Sequence, residues 1–349
     1  MQSFKTLTLV VLFLATGFSY SQEEDQKEER VPGHYNNNPF KQLYEEFSTP
    51  NQYRSASGAP GPAYYQQQAD YVMDIELDDK NKKITGYETI TYTNNSPDVL
   101  DYIWVQLDQN MRAKDSKTPL IVSSGAAPAD MAGNFVNQYM GEGFDGGFNI
   151  QSVKDNNGND LDYMINRTMM RIELPKSMNN GDKFVFSIRW WYNINNHVNG
   201  RGRSGYEEFE DGNRAYVIAQ FFPRMAVYSD VEGWQNSQFW GRDEFALVFG
   251  DYEVNITVPA DHILDGTGVL QNRKEVFSKE MMSRYDKAKK SYDEPVIIVT
   301  QDEADEASTS FDVNKKTWKF KAKNVRDYAF ASSRRFIWDM MAVKVGERE

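Results

Sequence analysis

The sequence predicts an all-β fold, organised as a saddle-like β-sandwich of several sheets with one inserted surface helix. Short segments in which apolar and polar residues alternate recur along most of the chain, and turn-forming residues separate them. Many short strands with turns between them indicate a sandwich or a saddle-like set of sheets. Cysteine is absent from the 349 residues, so a hydrophobic core must hold the fold together without disulfide bonds.

The clearest strands begin at Tyr71. Apolar side chains alternate with acidic ones between Tyr71 and Asp78, which is the period of a half-buried strand. A polar turn at 79–82 precedes a second strand, Ile84–Thr93, rich in threonine, tyrosine and isoleucine. We therefore expect a β-hairpin or meander here, followed by a third strand from Val99 to Leu107.

Similar segments continue to the end of the chain. They predict further strands at 148–153, 168–174, 182–192, 215–220, 252–258, 296–300 and 317–322. Between Lys274 and Ser291 the apolar residues instead have helical spacing among charged ones. This stretch predicts the single surface helix.

The first residues indicate export. Lys5 precedes an apolar run at 7–18, and small residues follow, which is the layout of a signal peptide covering 1–21. The run is too short to cross a bilayer, so we expect a periplasmic or secreted protein without stable membrane insertion. Residues 22–63 are polar and turn-rich and predict a leader or linker, with one short helix from Phe40 to Phe47.

The end of the chain suggests a domain boundary. We assign 64–335 to the N-terminal β-domain. The segment Phe336–Val343 is strongly apolar, and little sequence follows it to cover such an element. We therefore expect 336–349 to be the start of a catalytic domain that this chain lacks.

Several classes of chemistry are absent from the sequence. None of the three histidines has a second histidine four residues later, there is no cysteine nucleophile, and no Gly-x-Ser-x-Gly segment occurs. The net charge of −12, with basic residues dispersed among acidic ones, argues against nucleic-acid binding. We expect no complete catalytic site in this chain.

A few segments allow two interpretations. Asp155–Asp160 has calcium-ligand residue types, but its length favours a hairpin turn. The acidic run Glu207–Asp211 lies near Arg201–Arg203 and indicates either a solvated loop or a site for a charged ligand. The aromatic pairs Trp190-Trp191 and Phe221-Phe222 fit either a core or a surface that stacks on sugars or peptides.

Two segments carry a family resemblance. They are Ala219-Gln220-Phe221-Phe222-Pro223-Arg224-Met225-Ala226 and Asn324-Val325-Arg326-Asp327-Tyr328-Ala329-Phe330-Ala331-Ser332-Ser333. Both resemble the N-terminal β-domain of the gluzincin metallopeptidases related to aminopeptidase N and leukotriene hydrolase. The first resembles the family segment that lines the substrate cleft, and the second resembles the one that ends the β-domain. The likeness covers roughly 64–340.

The resemblance implies where the chemistry of the full-length protein lies. In the family, an HExxH helix and a downstream glutamate hold zinc, and a Gly-x-Met-Glu segment grips the amino terminus of the substrate. Neither the HExxH motif nor the Gly-x-Met-Glu motif occurs in these 349 residues. Zinc is therefore expected in the full-length protein and none bound by this chain. The implied partners are a peptide substrate and the protein's own C-terminal catalytic domain.

The resemblance also implies site residues. Gln220 matches the family glutamine that lines the pocket for the first substrate side chain. Phe222 lies where the family often has a glutamate that binds the free amine, and this departure weakens the expectation of strict aminopeptidase specificity. Phe221, Phe222 and Arg224 are further substrate-binding candidates that would shape the same cleft.

The leading hypothesis is the cleft-forming N-terminal part of an exported zinc-dependent peptidase, inactive alone. The alternatives are a non-catalytic β-sandwich module that binds a surface glycan or protein, and a catalytically dead relative that keeps the β-domain for interaction. The presence or absence of a downstream HExxH motif separates the three.

Overall fold

The computed structural model describes residues 50–118, 144–200, 204–241 and 246–346, with the side chains of 199 and 200 left out. The signal peptide, the short helix around Phe40 and the first part of the leader lie outside these ranges, so they stay predictions. Within the described ranges, no helix is both long and apolar enough to cross a bilayer.

The structure consists mainly of strands, as the alternation predicts. In chain order they are β1 (Gln68–Asp78), β2 (Lys83–Thr93), β3 (Leu100–Gln106), β4 (Asn149–Asp155), β5 (Tyr163–Asn166), β6 (Met169–Met178), β7 (Lys183–Asn193), β8 (Gly205–Glu208), β9 (Arg214–Ile218), β10 (Arg224–Met225), β11 (Tyr228–Ser229), β12 (Gly233–Trp234), β13 (Gly250–Pro259), β14 (Ile263–Gly266), β15 (Val269–Leu270), β16 (Val296–Val299), β17 (Lys315–Val325), β18 (Phe330–Ser333) and β19 (Trp338–Met340).

The largest sheet has seven strands in the order β15-β17-β13-β1-β2-β7-β4. The predicted hairpin is confirmed, since β1 and β2 pair antiparallel from Gln68↔Thr93 to Asp78↔Lys83. Alternate residues of β1 are buried and exposed, so one face of the sheet packs on the core and the other faces solvent. Only β1 and β13 pair in parallel in this sheet.

Two four-stranded sheets complete the all-β architecture. Their orders are β10-β3-β6-β5 and β14-β18-β9-β8, and short ribbons are formed by β11-β12 and β16-β19. One hydrophobic cluster draws buried side chains from all three larger sheets. The prediction of an all-β fold built from several sheets is confirmed.

The described residues contain more helices than the single one predicted. They are a 3₁₀ helix (Asp108–Arg112), α1 (His197–Gly200), α2 (Arg273–Val276), α3 (Lys279–Ala288) and α4 (Gln301–Ser310). The predicted helix at 274–291 is interrupted because Ser278 caps a new start, its hydroxyl accepting the Met281 N–H at 3.1 Å. Helix α4 was not predicted, and a reciprocal capping box between Thr300 and Glu303 begins it.

The apolar segment after 335 has a partner inside the chain, so the expectation that nothing in the sequence covers it was wrong. Strand β19 pairs antiparallel with β16, and Trp338 and Met340 pack on a small second cluster that includes Met281 and Ile298. The sequence argument missed this partner because it lies about forty residues earlier, between two helices. A domain boundary at 336 stays a prediction.

Candidate functional site

The turn between β9 and β10 carries Gln220, the residue with the most specific predicted role. Gln220 has φ +52°, a left-handed backbone conformation that residues other than glycine seldom adopt. Its backbone carbonyl accepts a hydrogen bond from the Gln109 side-chain amide at 2.8 Å. The Gln220 side chain is half-buried, and its own amide makes no hydrogen bond with any residue that the structure describes.

Gln109 is itself held in place. It lies in the 3₁₀ helix with 1% of its surface exposed, and its amide oxygen accepts a hydrogen bond from Arg112 Nη1 at 3.0 Å. Both the nitrogen and the oxygen of the Gln109 side-chain amide are therefore hydrogen-bonded. The strained turn at Gln220 is supported by a buried, oriented donor.

Arg224 lies four residues after Gln220 and is 3% exposed. Its Nε donates to Asp108 Oδ2 at 3.0 Å, and its Nη1 donates to Asp327 Oδ2 at 2.7 Å. Burial opposes the guanidinium charge, but the two carboxylates outweigh this effect and raise the pKa of Arg224. We call these three residues the Arg224 cluster. It joins the 3₁₀ helix, β10 and the segment before β18.

Phe221 and Phe222 lie in the core. Both side chains are fully buried, and their rings contact each other with centroids 5.0 Å apart. Phe222 packs edge-on against Tyr71 at 5.4 Å, and the Tyr71 hydroxyl accepts the Met225 N–H at 2.9 Å. Neither phenylalanine presents surface to a ligand.

Burial therefore separates the four predicted site residues into one that can contact a ligand and three that are enclosed. Among the four candidates, Gln220 is partly exposed and its amide has no hydrogen-bond partner in the described part of the chain, whereas Phe221, Phe222 and Arg224 are enclosed by protein. These three residues support the turn from the protein interior, because apolar packing and ion pairing leave them no free contact surface. Direct contact of Gln220 with a substrate stays a prediction.

Sequence reasoning missed Asp108 and Gln109. They lie 116 and 111 residues from their partners in the turn, and no local pattern marks them. Asp327 falls inside the second segment that carries the family resemblance, but its partner could not be inferred from that segment.

Glu88 is a buried carboxyl group outside this site. It is fully buried on β2, and neither of its oxygens has a hydrogen-bond partner among the described residues. Burial raises its pKa well above the ordinary range; the Trp190 indole partly offsets this effect without forming a hydrogen bond. Gly86 lies beneath that indole, because an added Cβ would come within 2.2 Å of the Trp190 ring.

The other ambiguous segments take the simpler of their two interpretations where the structure describes them. Asp155 Oδ1 accepts the N–H groups of Asn157 and Asn159 at 2.8 and 2.9 Å, as in a hairpin turn. Asp211 pairs with Arg335 at 2.9 Å. Residues 201–203 lie outside the described ranges.

A zinc site does not fit the described residues. No group of three or more histidine, aspartate or glutamate side chains comes together in this part of the chain to hold a metal ion. The described β-domain therefore offers no ligand set for zinc, and no catalytic step is assigned to the metal here.

Some solved structures are similar to this chain. No family model matches the sequence, and no curated protein matches it. Among solved structures, the chain is similar to an M1 zinc metallopeptidase from Deinococcus radiodurans, at 10% identity and a TM-score of 0.38, over 78% of this chain and 43% of that one. It is also similar to yeast LTA4 hydrolase in complex with bestatin, at 10% identity and a TM-score of 0.37, over 76% of this chain and 28% of that one.

A mutant of the Deinococcus enzyme bound to a Tyr-Ser-Ala substrate gives 11% identity and a TM-score of 0.38, over 79% of this chain and 44% of that one. The chain thus spans less than half the length of these proteins. They are of the kind that the two sequence segments resemble. At these values the similarity gives no correspondence between individual residues.

Proposed function

We propose that this chain forms the substrate-cleft wall of an exported zinc-dependent metallopeptidase, with Gln220 contacting the peptide. The observation that carries the proposal is the contrast inside one turn. The Gln220 amide makes no hydrogen bond with the residues that the structure describes, whereas Phe221, Phe222 and Arg224 are buried and the Gln220 carbonyl is held by Gln109 at 2.8 Å. A residue in a rare backbone conformation with an unused polar group is typical of a recognition element.

The amide of Gln220 suits a peptide. It offers both a donor and an acceptor, and a peptide backbone carries both complementary groups. A substrate amine would find no carboxylate at Phe222, which is apolar and fully buried. A missing charge-assisted contact costs about 1.5 to 3 kcal/mol, so strict preference for a free amino terminus is not part of the proposal.

The zinc and the general base belong, on this proposal, to a C-terminal catalytic domain. An exposed apolar surface supports docking of another domain on the outer side of the β16-β19 ribbon. Ile297, Ile337 and Met341 are 52%, 51% and 44% exposed there, and apolar patches of this kind commonly mark contact surfaces.

The experiment compares this chain with the longer product of its own coding sequence. We expect the chain alone to bind no stoichiometric zinc by mass spectrometry and to leave short peptides intact. The longer product should contain zinc and hydrolyse them. A downstream HExxH motif with a later glutamate is expected, and a stop codon would favour the binding module instead.

A degenerate downstream motif with no zinc would favour the catalytically dead relative. Zinc binding or peptide cleavage by the isolated 349-residue chain would overturn the proposal, because the described residues offer no ligand set.

A further inference from the structure

The solvent face of the seven-stranded sheet carries a groove of about 890 Å³. The Gln220 turn does not belong to this sheet, since it connects β9 and β10 of the two four-stranded sheets. Its floor is formed by β17, β13, β1, β2 and β7, and Glu275 and Val276 of α2 contribute to its lining. A groove of this volume is within the usual range for sites that bind small or chain-like ligands.

Polar side chains cross the floor in one row. Lys319, Asn255, Asp74, Tyr87 and Arg189 are direct neighbours on five adjacent strands. Strands lie about 4.8 Å apart, so the row is about 19 Å long. The backbone N–H and C=O groups of these strands are used within the sheet, so a ligand would be recognised by side chains alone.

The charges of the groove nearly cancel. Glu76 pairs with Lys315, and Glu275 lies 3.7 Å from Lys319. Asp74 instead accepts a hydrogen bond from the Asn255 amide at 2.8 Å. A surface with balanced charge and many fixed donors and acceptors is complementary to a neutral, hydroxyl-rich ligand, and poorly suited to a polyanion.

Aromatic rings on the same face are held by cations. The Arg189 guanidinium lies 4.9 Å from the centroid of Tyr87, and the Lys83 ammonium lies 3.9 Å from that of Trp191. Trp191 is the direct neighbour of Thr85, which lines the groove. Of the Trp190-Trp191 pair, therefore, only Trp191 points to solvent, while Trp190 is buried.

We propose that this groove binds a neutral oligosaccharide. The apolar face of a sugar ring packs on Tyr87, with Trp191 available to a neighbouring ring, and sugar hydroxyls exchange hydrogen bonds with Asp74, Asn255 and Arg189. An extended peptide fits less well, because the sheet face leaves no backbone groups to pair with it. The site is independent of the proposed peptidase role.

The test titrates the full chain with uncharged hexasaccharides of different linkage, namely cellohexaose, maltohexaose, xylohexaose and chitohexaose. Binding is followed by isothermal titration calorimetry. We expect at least one to bind, and we expect Arg189→Ala and Tyr87→Ala each to weaken that binding by about tenfold or more, since each removes a ring contact or a charged donor.

A matched control is available on another sheet. Arg171 lies 3.8 Å from the centroid of Tyr102 in the same kind of stack, outside the groove. Arg171→Ala should leave the affinity unchanged, with circular dichroism checking that every variant is folded. Failure of all four sugars to bind, equal loss of binding in Arg171→Ala, or binding of heparin or an acidic peptide in their place would overturn the proposal.

Discussion

Two buried arginines in this protein each hold two carboxylates, in places with different surroundings. The Arg224 cluster lies beside the Gln220 turn. The second, which we call the Arg334 cluster, consists of Arg334 with Asp79 and Asp261, at 2.7 and 2.8 Å. The two guanidinium side chains are equally buried, at 3% and 4% exposure. Burial and pairing alone therefore do not distinguish a functional site from a structural junction.

The difference lies in what each cluster adjoins. Asp79 also accepts a hydrogen bond from the Tyr216 hydroxyl at 2.7 Å, and His262 lies close by with its Nδ1 2.9 Å from Ser332 Oγ. Every one of these groups is enclosed. The Arg224 cluster instead adjoins a turn in which the Gln220 amide makes no hydrogen bond within the described ranges, and the recognition role proposed for Gln220 rests on this contrast.

Removing either arginine should have the largest effect on stability. Arg224→Met leaves the buried Asp108 without its cation. Arg334→Met leaves Asp261 without its cation and Asp79 with only the longer contact to Arg214 at 3.3 Å. Each change should cost about 3 to 5 kcal/mol. Urea unfolding measures that loss. Hydrogen exchange should then show faster exchange at 219–222 in Arg224→Met only. Equal acceleration there in Arg334→Met would remove the distinction between the clusters.

The Arg334 cluster should also make the fold sensitive to acid. Burial, followed by the charge of Arg334, lowers the pKa of His262 to about 4. The unfolded chain binds this proton near pH 6.5, so stability is lost as the pH falls from about 6.5 toward 4. His262→Gln should make the urea midpoint less dependent on pH between pH 6.5 and 5. His197→Gln is the control at a partly exposed histidine, and an equal effect there would contradict the account.

Glu88 extends the comparison of the two arginine clusters to a buried carboxyl group that has no hydrogen-bond or ion-pair partner among the described residues. Its raised pKa means that the folded protein keeps a proton that the unfolded chain releases above about pH 4.3. Its contribution is fully present below that pH and is lost as the pH rises toward the folded pKa. The free energy of unfolding of Glu88→Gln should therefore increase relative to that of the native chain as the pH rises from 5 to 8.

The measurement is the urea midpoint at each pH, with Glu232→Gln as the control at an exposed position. Parallel pH profiles for the native chain and Glu88→Gln would show that this carboxyl is not held neutral in the fold.

A smaller effect is expected from the support of the turn. Gln109→Ala removes two buried hydrogen bonds, the one it donates to the Gln220 carbonyl and the one it accepts from Arg112, and should cost about 1 to 3 kcal/mol. Asn110→Ala is its neighbour on the same helix and loses bonds to Arg167 and Phe148 instead. Exchange at 219–222 should increase only in Gln109→Ala. An equal increase in both variants would mean that the helix as a whole, and not this amide, supports Gln220.

Local pattern was enough for much of the fold and little of the site. The hairpin at Tyr71–Thr93 was predictable because its alternation and its turn are contiguous in sequence. Helix α4 was missed, although the capping box of Thr300 and Glu303 is a local signal that could have indicated where it begins. The partners of Arg224 were not predictable, because they lie 116 and 103 residues away and depend on how three sheets meet.

The most direct test of the central claim is steady-state hydrolysis of short peptides by the full-length protein carrying Gln220→Ala. We predict a KM increased by about tenfold with a smaller change in kcat, as expected when a binding contact is lost. Gln271→Ala, at an exposed glutamine that directly follows β15, serves as the control. Kinetics of Gln220→Ala identical to those of the native protein would contradict the assignment of this turn to the substrate cleft.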